Sequence, residues 1–195
     1  MKQIVTNRSL RVGVGSITQV ANTLRENGIK GKILYVSDPI VDEKYGETVR
    51  EQLSRRGSIQ TETVDNSTIA NAMRLAERVI SNDICCIVGM GGGKVLDVCK
   101  YAAYISKTPL LSIATTLAND GIASPIAVLK RDDNKPMSLG CAVPSMLILD
   151  TEIVQQCPPQ LIKAGIGDTI SNYMALIDWD FAVMQGKDTM NGYAY

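Results

Sequence analysis

The chain has 195 residues, which corresponds to one or two domains of ordinary size. Hydrophobic residues make up 45% and charged residues 21%, a composition typical of globular proteins and not of disordered or fibrous ones. Lys plus Arg and Asp plus Glu number 20 each, so the formal net charge is zero. This balance excludes a strongly basic nucleic-acid-binding protein but leaves room for a local basic pocket that binds a phosphate.

The cysteine and histidine content gives a second set of limits. The five cysteines are an odd number and contain no Cys-x-x-Cys pair, so we expect buried, reduced thiols and a cytoplasmic protein. The chain contains no histidine. Residues 1–10 lack an apolar signal-peptide core, and no apolar run approaches the roughly 18 residues of a membrane helix. The sequence therefore predicts neither a signal peptide nor a membrane span.

Residues 1–114 alternate between strand-like and helix-like segments. Short apolar stretches predict strands at residues 4–5, 10–14, 32–36, 59–64, 84–88 and 110–114. Helices are expected between them: one from an N-cap at Ser16 to a C-cap at Gly28, one at 41–55, one capped by Asn66 or Ser67, and one at 95–106. This alternation predicts an α/β fold, with a mostly parallel nucleotide-binding sheet and helices on both faces.

The pattern changes after residue 115. Residues 126–129 and 137–143 predict a hairpin, and 146–149 predict one more strand. From residue 151 onward the sequence is helical, with a short helix at 159–164 followed by a long amphipathic one. We therefore expect a dinucleotide-binding domain at 1–150 and the start of an all-helical second domain at 151–195, which we expect to be incomplete.

Three glycines at 91–93 precede Lys94 and a predicted helix. Glycines let backbone N–H groups approach a phosphate closely, and the positive N-terminus of a helix favours an anion. A Walker A loop is excluded, because Val88 occupies its first glycine position and Val95 follows the lysine. A Rossmann fingerprint should follow the first strand, whereas this loop follows about the fourth. The sequence favours a diphosphate-binding loop of a less common type over a strand–helix turn without a ligand.

Two acids and one polar loop are further candidates. Asp38 lies just after a predicted strand. A carboxylate there either accepts the hydroxyls of an adenosine ribose and repels a 2′-phosphate, or caps the helix that opens at Pro39. The 115–125 loop follows a buried strand, and its small polar residues suit either ligand recognition or a plain connection. Asp168 is expected at the start of a long helix, where the simplest role is capping.

Three motifs carry a family resemblance: Gly-Gly-Gly-Lys-Val-Leu-Asp at 91–97, Asn-Asp-Gly-Ile-Ala-Ser-Pro at 119–125, and Ala-Gly-Ile-Gly-Asp-Thr-Ile-Ser-Asn-Tyr at 164–173. Together they resemble the sn-glycerol-1-phosphate dehydrogenase family, within the superfamily of iron-containing alcohol dehydrogenases and dehydroquinate synthases. The resemblance implies an active site in a cleft between the two domains. It also implies reduction of dihydroxyacetone phosphate by NADH or NADPH and a divalent metal, usually zinc.

The resemblance also implies a set of site residues. Asp120 and Asp168 would be catalytic and substrate-binding, with Asp168 also a metal ligand. The cofactor-binding residues would be Gly91, Gly92, Gly93, Lys94, Asp97, Thr115, Thr116 and Ser124, to which the strand-end position adds Asp38. The chain departs from the family at Ala118-Asn119, where a Ser-His pair is common, and it lacks the two later histidines of the metal site. A catalytic zinc needs about three protein ligands, so Asp168 alone does not make one.

Three functions follow. The first is NAD(P)-dependent, metal-assisted reduction of dihydroxyacetone phosphate or a related phosphorylated ketone, with NAD preferred over NADP because of Asp38. The alternatives are a dehydroquinate-synthase-like lyase or cyclase, and a non-catalytic nucleotide-binding module. We expect a small phosphorylated substrate, no nucleic acid, no membrane span and a homo-oligomer.

Overall fold

The computed structural model describes residues 6–190, so the strand predicted at 4–5 lies outside the described residues. In this part the chain forms eight strands: β1 (Ser9–Gly13), β2 (Lys32–Ser37), β3 (Ile59–Thr63), β4 (Ile84–Gly91), β5 (Leu110–Ala114), β6 (Ile126–Lys130), β7 (Pro136–Gly140) and β8 (Met146–Asp150). Six of them form an all-parallel sheet in the order β1-β8-β5-β4-β2-β3, and β6 and β7 form an antiparallel hairpin. The predicted parallel sheet and hairpin are confirmed.

The described residues also form seven α-helices: α1 (Val20–Glu26), α2 (Pro39–Val41), α3 (Glu47–Ser54), α4 (Ile69–Ser81), α5 (Gly93–Ser106), α6 (Thr151–Gln155) and α7 (Pro159–Met184). A π-helical turn, Asp42–Gly46, joins α2 to α3. The helix predicted at 41–55 is therefore present, with an irregular middle that the periodicity does not reveal.

Two hydrophobic clusters cover the two faces of the sheet. On one face α1 and α3 pack through residues such as Leu24 and Leu53 against Val88 of β4. On the other face α4 and α5 pack through residues such as Leu75 against the adjacent Ile87. Because both faces are covered, the central strands are continuous apolar runs, which made them easy to recognise in the sequence.

The buried carboxylate of Asp150 links the turn after β1 to the end of β8. It accepts hydrogen bonds from the backbone N–H groups of Gly15 (3.2 Å), Ile17 (3.0 Å) and Glu152 (3.1 Å). The N-cap predicted at Ser16 is wrong, since residues Ser16–Gln19 form a 3-10 turn and α1 begins at Val20. The Asp150 carboxylate, which comes from another strand, accepts the backbone hydrogen bonds that a local N-cap side chain would otherwise accept.

Two other predicted helix ends can be compared with the structure. Gly28 lies just beyond the end of α1 with φ of 72°, the left-handed conformation expected of a terminating glycine. The cap predicted at Asn66 or Ser67 is wrong: Thr68 caps α4, and its side chain accepts a hydrogen bond from the N–H of Asn71. All three polar residues suit an N-cap, so composition alone does not choose among them.

The region after residue 158 forms a single helix of 26 residues, α7, instead of the predicted short and long pair. Asp168 lies inside this helix, so the prediction that it begins a helix is wrong. None of the residues of α7 is buried, and large side chains such as Tyr173 and Phe181 are more than half exposed. The domain boundary near Asp150 stays a prediction. No helix in the described part of the chain has the length and apolar character that a bilayer span requires.

Candidate functional site

The neighbouring strands β2 and β4 send the chain to opposite faces of the sheet. After β2 the chain enters α2 and α3 on one face, and after β4 it enters α5 on the other. The strands are held in register where they end, and Ser37 Oγ donates a hydrogen bond to the carbonyl of Met90 at 2.9 Å. Such a divergence opens a crevice at the carboxyl edge of a parallel sheet, which is the usual ligand position in this architecture.

The three glycines lie at this crevice. The lack of room for a side chain, and not an unusual backbone conformation, explains why glycine is needed at the first two positions. None of the three has a positive φ. A Cβ on Gly91 would lie 2.9 Å from the side chain of Val95, and one on Gly92 would lie 3.2 Å from Thr116 Oγ1. A Cβ on Gly93 would meet nothing within 4 Å. The first two glycines therefore permit close packing, while the third leaves the backbone open to an approaching group.

The N-terminus of α5 is available for an anion. The helix has 14 residues, begins at Gly93, and has no side-chain cap. The N–H groups of Val95 and Leu96 already bond to the carbonyl of Gly92. The positive end of the helix dipole therefore lies at Gly93 and Lys94, and Lys94 adds a full positive charge on an exposed side chain.

One cavity of about 590 Å³ collects most of the predicted cofactor residues. Its lining consists of Asp38, Pro39, Ile40, Val64, Asp65, Gly92, Gly93, Lys94, Val95, Thr116, Ala118 and Leu161. We call this the crevice cavity. Thr115 lies beside it: its N–H donates to the carbonyl of Gly91 at 3.1 Å, and its side chain lines a smaller cavity of about 130 Å³ together with Thr116. Four loops from four strands thus converge on one space.

Of the two roles that the sequence left open for Asp38, the structure shows the helix cap, and contact with a ribose stays a prediction. Its Oδ1 accepts hydrogen bonds from the N–H groups of Ile40 and Val41, each at 3.0 Å, so it caps α2. Its Oδ2 points toward the glycine loop, and a Cβ on Gly91 would lie 3.3 Å from it. The cap therefore uses one oxygen, and the other borders the crevice cavity.

Asp97 and Ser124 lie outside the lining of the crevice cavity. Asp97 forms an ion pair with Lys100 at 2.9 Å, and its Oδ2 accepts a hydrogen bond from the N–H of Val128 at 3.1 Å. Burial raises the pKa of the Asp97 carboxyl, and the Lys100 charge opposes that rise. Ser124 donates its backbone N–H to the carbonyl of Asp120. The predicted contact of both residues with a cofactor stays a prediction.

A second cavity, of about 460 Å³, lies between the 115–125 loop and α7 and contains the two predicted catalytic acids. The N–H of Asp120 donates to Asp168 Oδ2 at 3.0 Å, so the carboxylate of one acid holds the backbone of the other. Asn119 orders the same turn, because its Oδ1 accepts a hydrogen bond from the N–H of Gly121 at 2.9 Å. We call this the acid cavity. Residues of the 115–125 loop line both the acid cavity and the crevice cavity.

The acid cavity does not by itself fit a metal ion. The chain has no histidine, and the described residues contain no group of three His, Cys, Asp or Glu side chains that could hold one. Asp168 is a single carboxylate, whereas a catalytic divalent metal needs about three protein ligands. Its role as a metal ligand stays a prediction.

Three features of these sites are not predicted from the sequence. Val64 and Asp65 line the crevice cavity because β3 ends at the same edge of the sheet, a position that the parallel topology could have indicated. Leu161 comes from α7, and only the tertiary fold brings it there. Lys100, buried inside α5, gave no signal beyond a charged residue three positions after an acid.

Comparison with known proteins places this geometry in a family. The family model described as iron-containing alcohol dehydrogenase matches residues 11–158. The chain is 33% identical over 177 residues to a glycerol-1-phosphate dehydrogenase (NAD(P)+) of Aeropyrum pernix, covering 90% of this chain and 50% of the relative. It is 32% identical over 189 residues to the protein of that name from Methanosarcina mazei, covering 96% of this chain and 52% of the relative. The chain thus spans about half the length of these relatives.

Solved structures share the fold at lower identity. A probable glycerol dehydrogenase from Sinorhizobium meliloti superposes with a TM-score of 0.76 and 21% identity, covering 89% of this chain and 48% of that one. A sulfoacetaldehyde reductase from Bifidobacterium kashiwanohense, solved with NAD+, gives a TM-score of 0.73 and 19% identity, covering 88% and 52%. The resemblance inferred from the three motifs is confirmed, and the chain belongs to the iron-containing alcohol dehydrogenase family.

Proposed function

We propose that this chain supplies the nucleotide-binding part of an NAD(P)-dependent oxidoreductase that interconverts dihydroxyacetone phosphate and sn-glycerol 1-phosphate. The observation that carries the proposal is the crevice cavity, where Asp38, Gly93 and the uncapped N-terminus of α5 meet between two diverging strands. The relatives named glycerol-1-phosphate dehydrogenase support the reaction class. Because the chain spans about half of each relative, the activity of the whole protein is part of the proposal.

The residues of the crevice cavity fit a dinucleotide. Gly92, Gly93 and Lys94 would hold the diphosphate, since they combine open backbone, a helix N-terminus and a positive side chain. Asp38 Oδ2 would accept a ribose hydroxyl. The hydroxyl of Thr116 lies beside Gly92 in the lining of the same cavity. When bound, the nicotinamide supplies the hydride chemistry, and the protein supplies binding and orientation.

The acid cavity is suited to the hydroxylated end of a three-carbon substrate. The carboxylates of Asp120 and Asp168 are acceptors for substrate hydroxyl protons, and the hydrogen bond between the Asp120 N–H and Asp168 Oδ2 holds the two residues in register. A substrate phosphate would lie away from both carboxylates because like charges repel. Residues of the 115–125 loop line both cavities, so a substrate in the acid cavity would be near a cofactor in the crevice cavity.

A hydrogen-exchange footprint tests the nucleotide site. Saturating NADH should slow amide exchange about tenfold or more in residues 92–95 and 115–118, the segments that line the crevice cavity. The hairpin turn at residues 131–135 is an internal control on the far side of β6 and should not change. Equal rates with and without NADH in residues 92–95 would contradict the proposal.

A turnover assay separates binding from catalysis. We expect the 195-residue chain to bind NADH but not to reduce dihydroxyacetone phosphate, with or without added zinc, because Asp168 has no partner ligands for a metal in the described residues. Turnover of about 1 per second or more, within the ordinary range for enzymes, would show that the reaction needs no such ligands.

A further inference from the structure

A lysine is buried in the middle of α5. The side chain of Lys100 is 0% exposed, although α5 faces the sheet with apolar residues such as Leu96 and Ala103. Taking an ammonium group out of water is costly, so a buried lysine persists only where partners compensate for the lost hydration. The partners of Lys100 therefore indicate what the charge does.

Both partners of Lys100 connect α5 to one place in the fold. Its Nζ lies 2.9 Å from Asp97 Oδ1 on the preceding turn and donates a hydrogen bond to the carbonyl of Ile126. The other oxygen of Asp97 accepts the N–H of Val128 at 3.1 Å. One buried ion pair thus holds two backbone groups of β6, the carbonyl of Ile126 and the N–H of Val128.

These two hydrogen bonds fix the exit of the 115–125 loop, because β6 begins at Ile126 immediately after it. The loop is also close to the pair itself: a Cβ on Gly121 would lie 3.9 Å from Lys100 Nζ. The negative charge of Asp120 is near enough to raise the pKa of the Asp97 carboxyl further, after the larger effect of burial. The ion pair and the turn that carries Asp120 form one cluster.

We propose that Lys100 and Asp97 are positioning residues for Asp120. They fasten the exit of the 115–125 loop to the same helix whose first turn lines the crevice cavity. Helix α5 then sets the distance between the crevice cavity and the acid cavity: Lys94 in its first turn lines the crevice cavity, and Lys100 further along holds the loop that carries Asp120. That Asp120 contacts a substrate rests on the proposed function. That Lys100 and Asp97 hold the 115–125 loop in place does not depend on it.

The alternative is that the pair only stabilises the fold. A buried ion pair is weak evidence for stability, since replacing both charges with neutral groups of similar size is often neutral or stabilising. Removing one charge is strongly destabilising, because the other is left buried without its partner. A single and a double substitution therefore separate the two roles.

The test uses the ligand-free chain, so its result is independent of cofactor and substrate. Lys100→Met should lower stability and speed amide exchange at Asp120 and Gly121. The double variant Asp97→Asn/Lys100→Met removes both charges and should recover most of the stability in urea unfolding. Exchange at Asp120 and Gly121 should stay about tenfold or more above wild type, since no donor reaches the Ile126 carbonyl.

Arg74→Met is a control for the loss of an ion pair elsewhere in the chain, at a more exposed arginine whose partner Glu62 keeps a second ion pair with Arg78. It removes an ion pair with Glu62 that lies on α4 and β3, away from the loop, and should leave exchange at Asp120 unchanged. Wild-type exchange at Asp120 in the double variant would overturn the proposal. So would faster exchange spread evenly over β4 and β5, because that is the signature of a stabilising role alone.

Discussion

A Cβ atom on Gly165 would lie 1.9 Å from the carbonyl oxygen of Leu117, far inside any tolerated contact. Glycine is therefore what lets α7 lie directly on the 115–125 loop. This contact brings Asp168, one turn further along α7, within hydrogen-bond distance of Asp120. The close approach of Gly165 to Leu117 and the Asp168 carboxylate thus both hold α7, a helix without a buried residue, against the loop.

Gly165→Ala should separate α7 from the loop. The added methyl group cannot be accommodated without a shift of backbone, so we expect a loss of about 1–3 kcal/mol in the free energy of unfolding and faster exchange of the Asp120 amide. Gly167→Ala is the control two residues away, where a Cβ meets nothing within 4 Å. It should be neutral or stabilising by about 0.5–1 kcal/mol, since alanine favours a helix. Equal effects of the two substitutions in urea unfolding would show that the Leu117 contact is unimportant.

Asp38→Asn tests the cofactor preference without removing the cap. The amide oxygen of asparagine can still accept the N–H groups of Ile40 and Val41, so α2 should keep its start. The negative charge beside the crevice cavity is lost, and with it the repulsion of a 2′-phosphate. We expect the ratio of NADPH to NADH affinity to rise about fivefold or more.

Asp38→Ala is the companion variant, because it loses both the cap and the charge. It should show the same change of preference together with a loss of about 1 kcal/mol of stability. An unchanged preference in both variants would leave Asp38 as a helix cap alone.

The cysteines should react in an order set by burial. Burial raises the pKa of the Cys86 and Cys99 thiols far above the ordinary value, and it also raises the pKa of the less buried Cys85 and Cys141. The thiolate is the reactive form, so a raised pKa lowers reactivity at neutral pH. With a thiol reagent on the native chain, Cys86 and Cys99 should stay unmodified, and labelling of Cys85 and Cys141 should quicken as pH rises from 7 to 9.

Denaturant should then expose all five thiols. Mass spectrometry of the labelled peptides identifies each position. Rapid labelling of Cys99 in the native state would contradict the packing of α5 against the sheet, where this thiol lies next to Gly89.

The sheet could be predicted from the sequence because its signal is local. Each buried strand is a short run of branched apolar residues, and the turn residues around it mark its ends. The strand ends have a weaker local signal. β4 continues to Gly91, and the prediction that it ends at Val88 is wrong, because glycines usually indicate a loop. The choice of Thr68 over its polar neighbours as the cap of α4 likewise depends on backbone geometry.

The part of the site that could be predicted from the sequence consists of residues that follow parallel strands, because these strands end at the same edge of the sheet. Asp38, Gly92 and Thr116 all follow strands, and the topology brings them to one cavity. The hydrogen bond between Asp120 and Asp168 joins residues 48 positions apart, and the contact of Gly165 with Leu117 is equally non-local. Such contacts have no local pattern. Asp97 and Lys100 do have the i,i+3 spacing of a helical ion pair, but that spacing does not reveal that the pair is buried.

Binding of NADH to a matched pair of variants tests the nucleotide site most directly. Gly93→Val and Gly167→Val each add a side chain where the free protein has open space, so both should fold. Only Gly93 lines the crevice cavity, where its side chain would occupy the place of the diphosphate. Calorimetric titration should show binding to wild type and to Gly167→Val within about twofold, and a loss of about tenfold or more in Gly93→Val, a difference of about 1.4 kcal/mol. No binding to the folded wild-type chain, or equal affinity in all three proteins, would contradict the account.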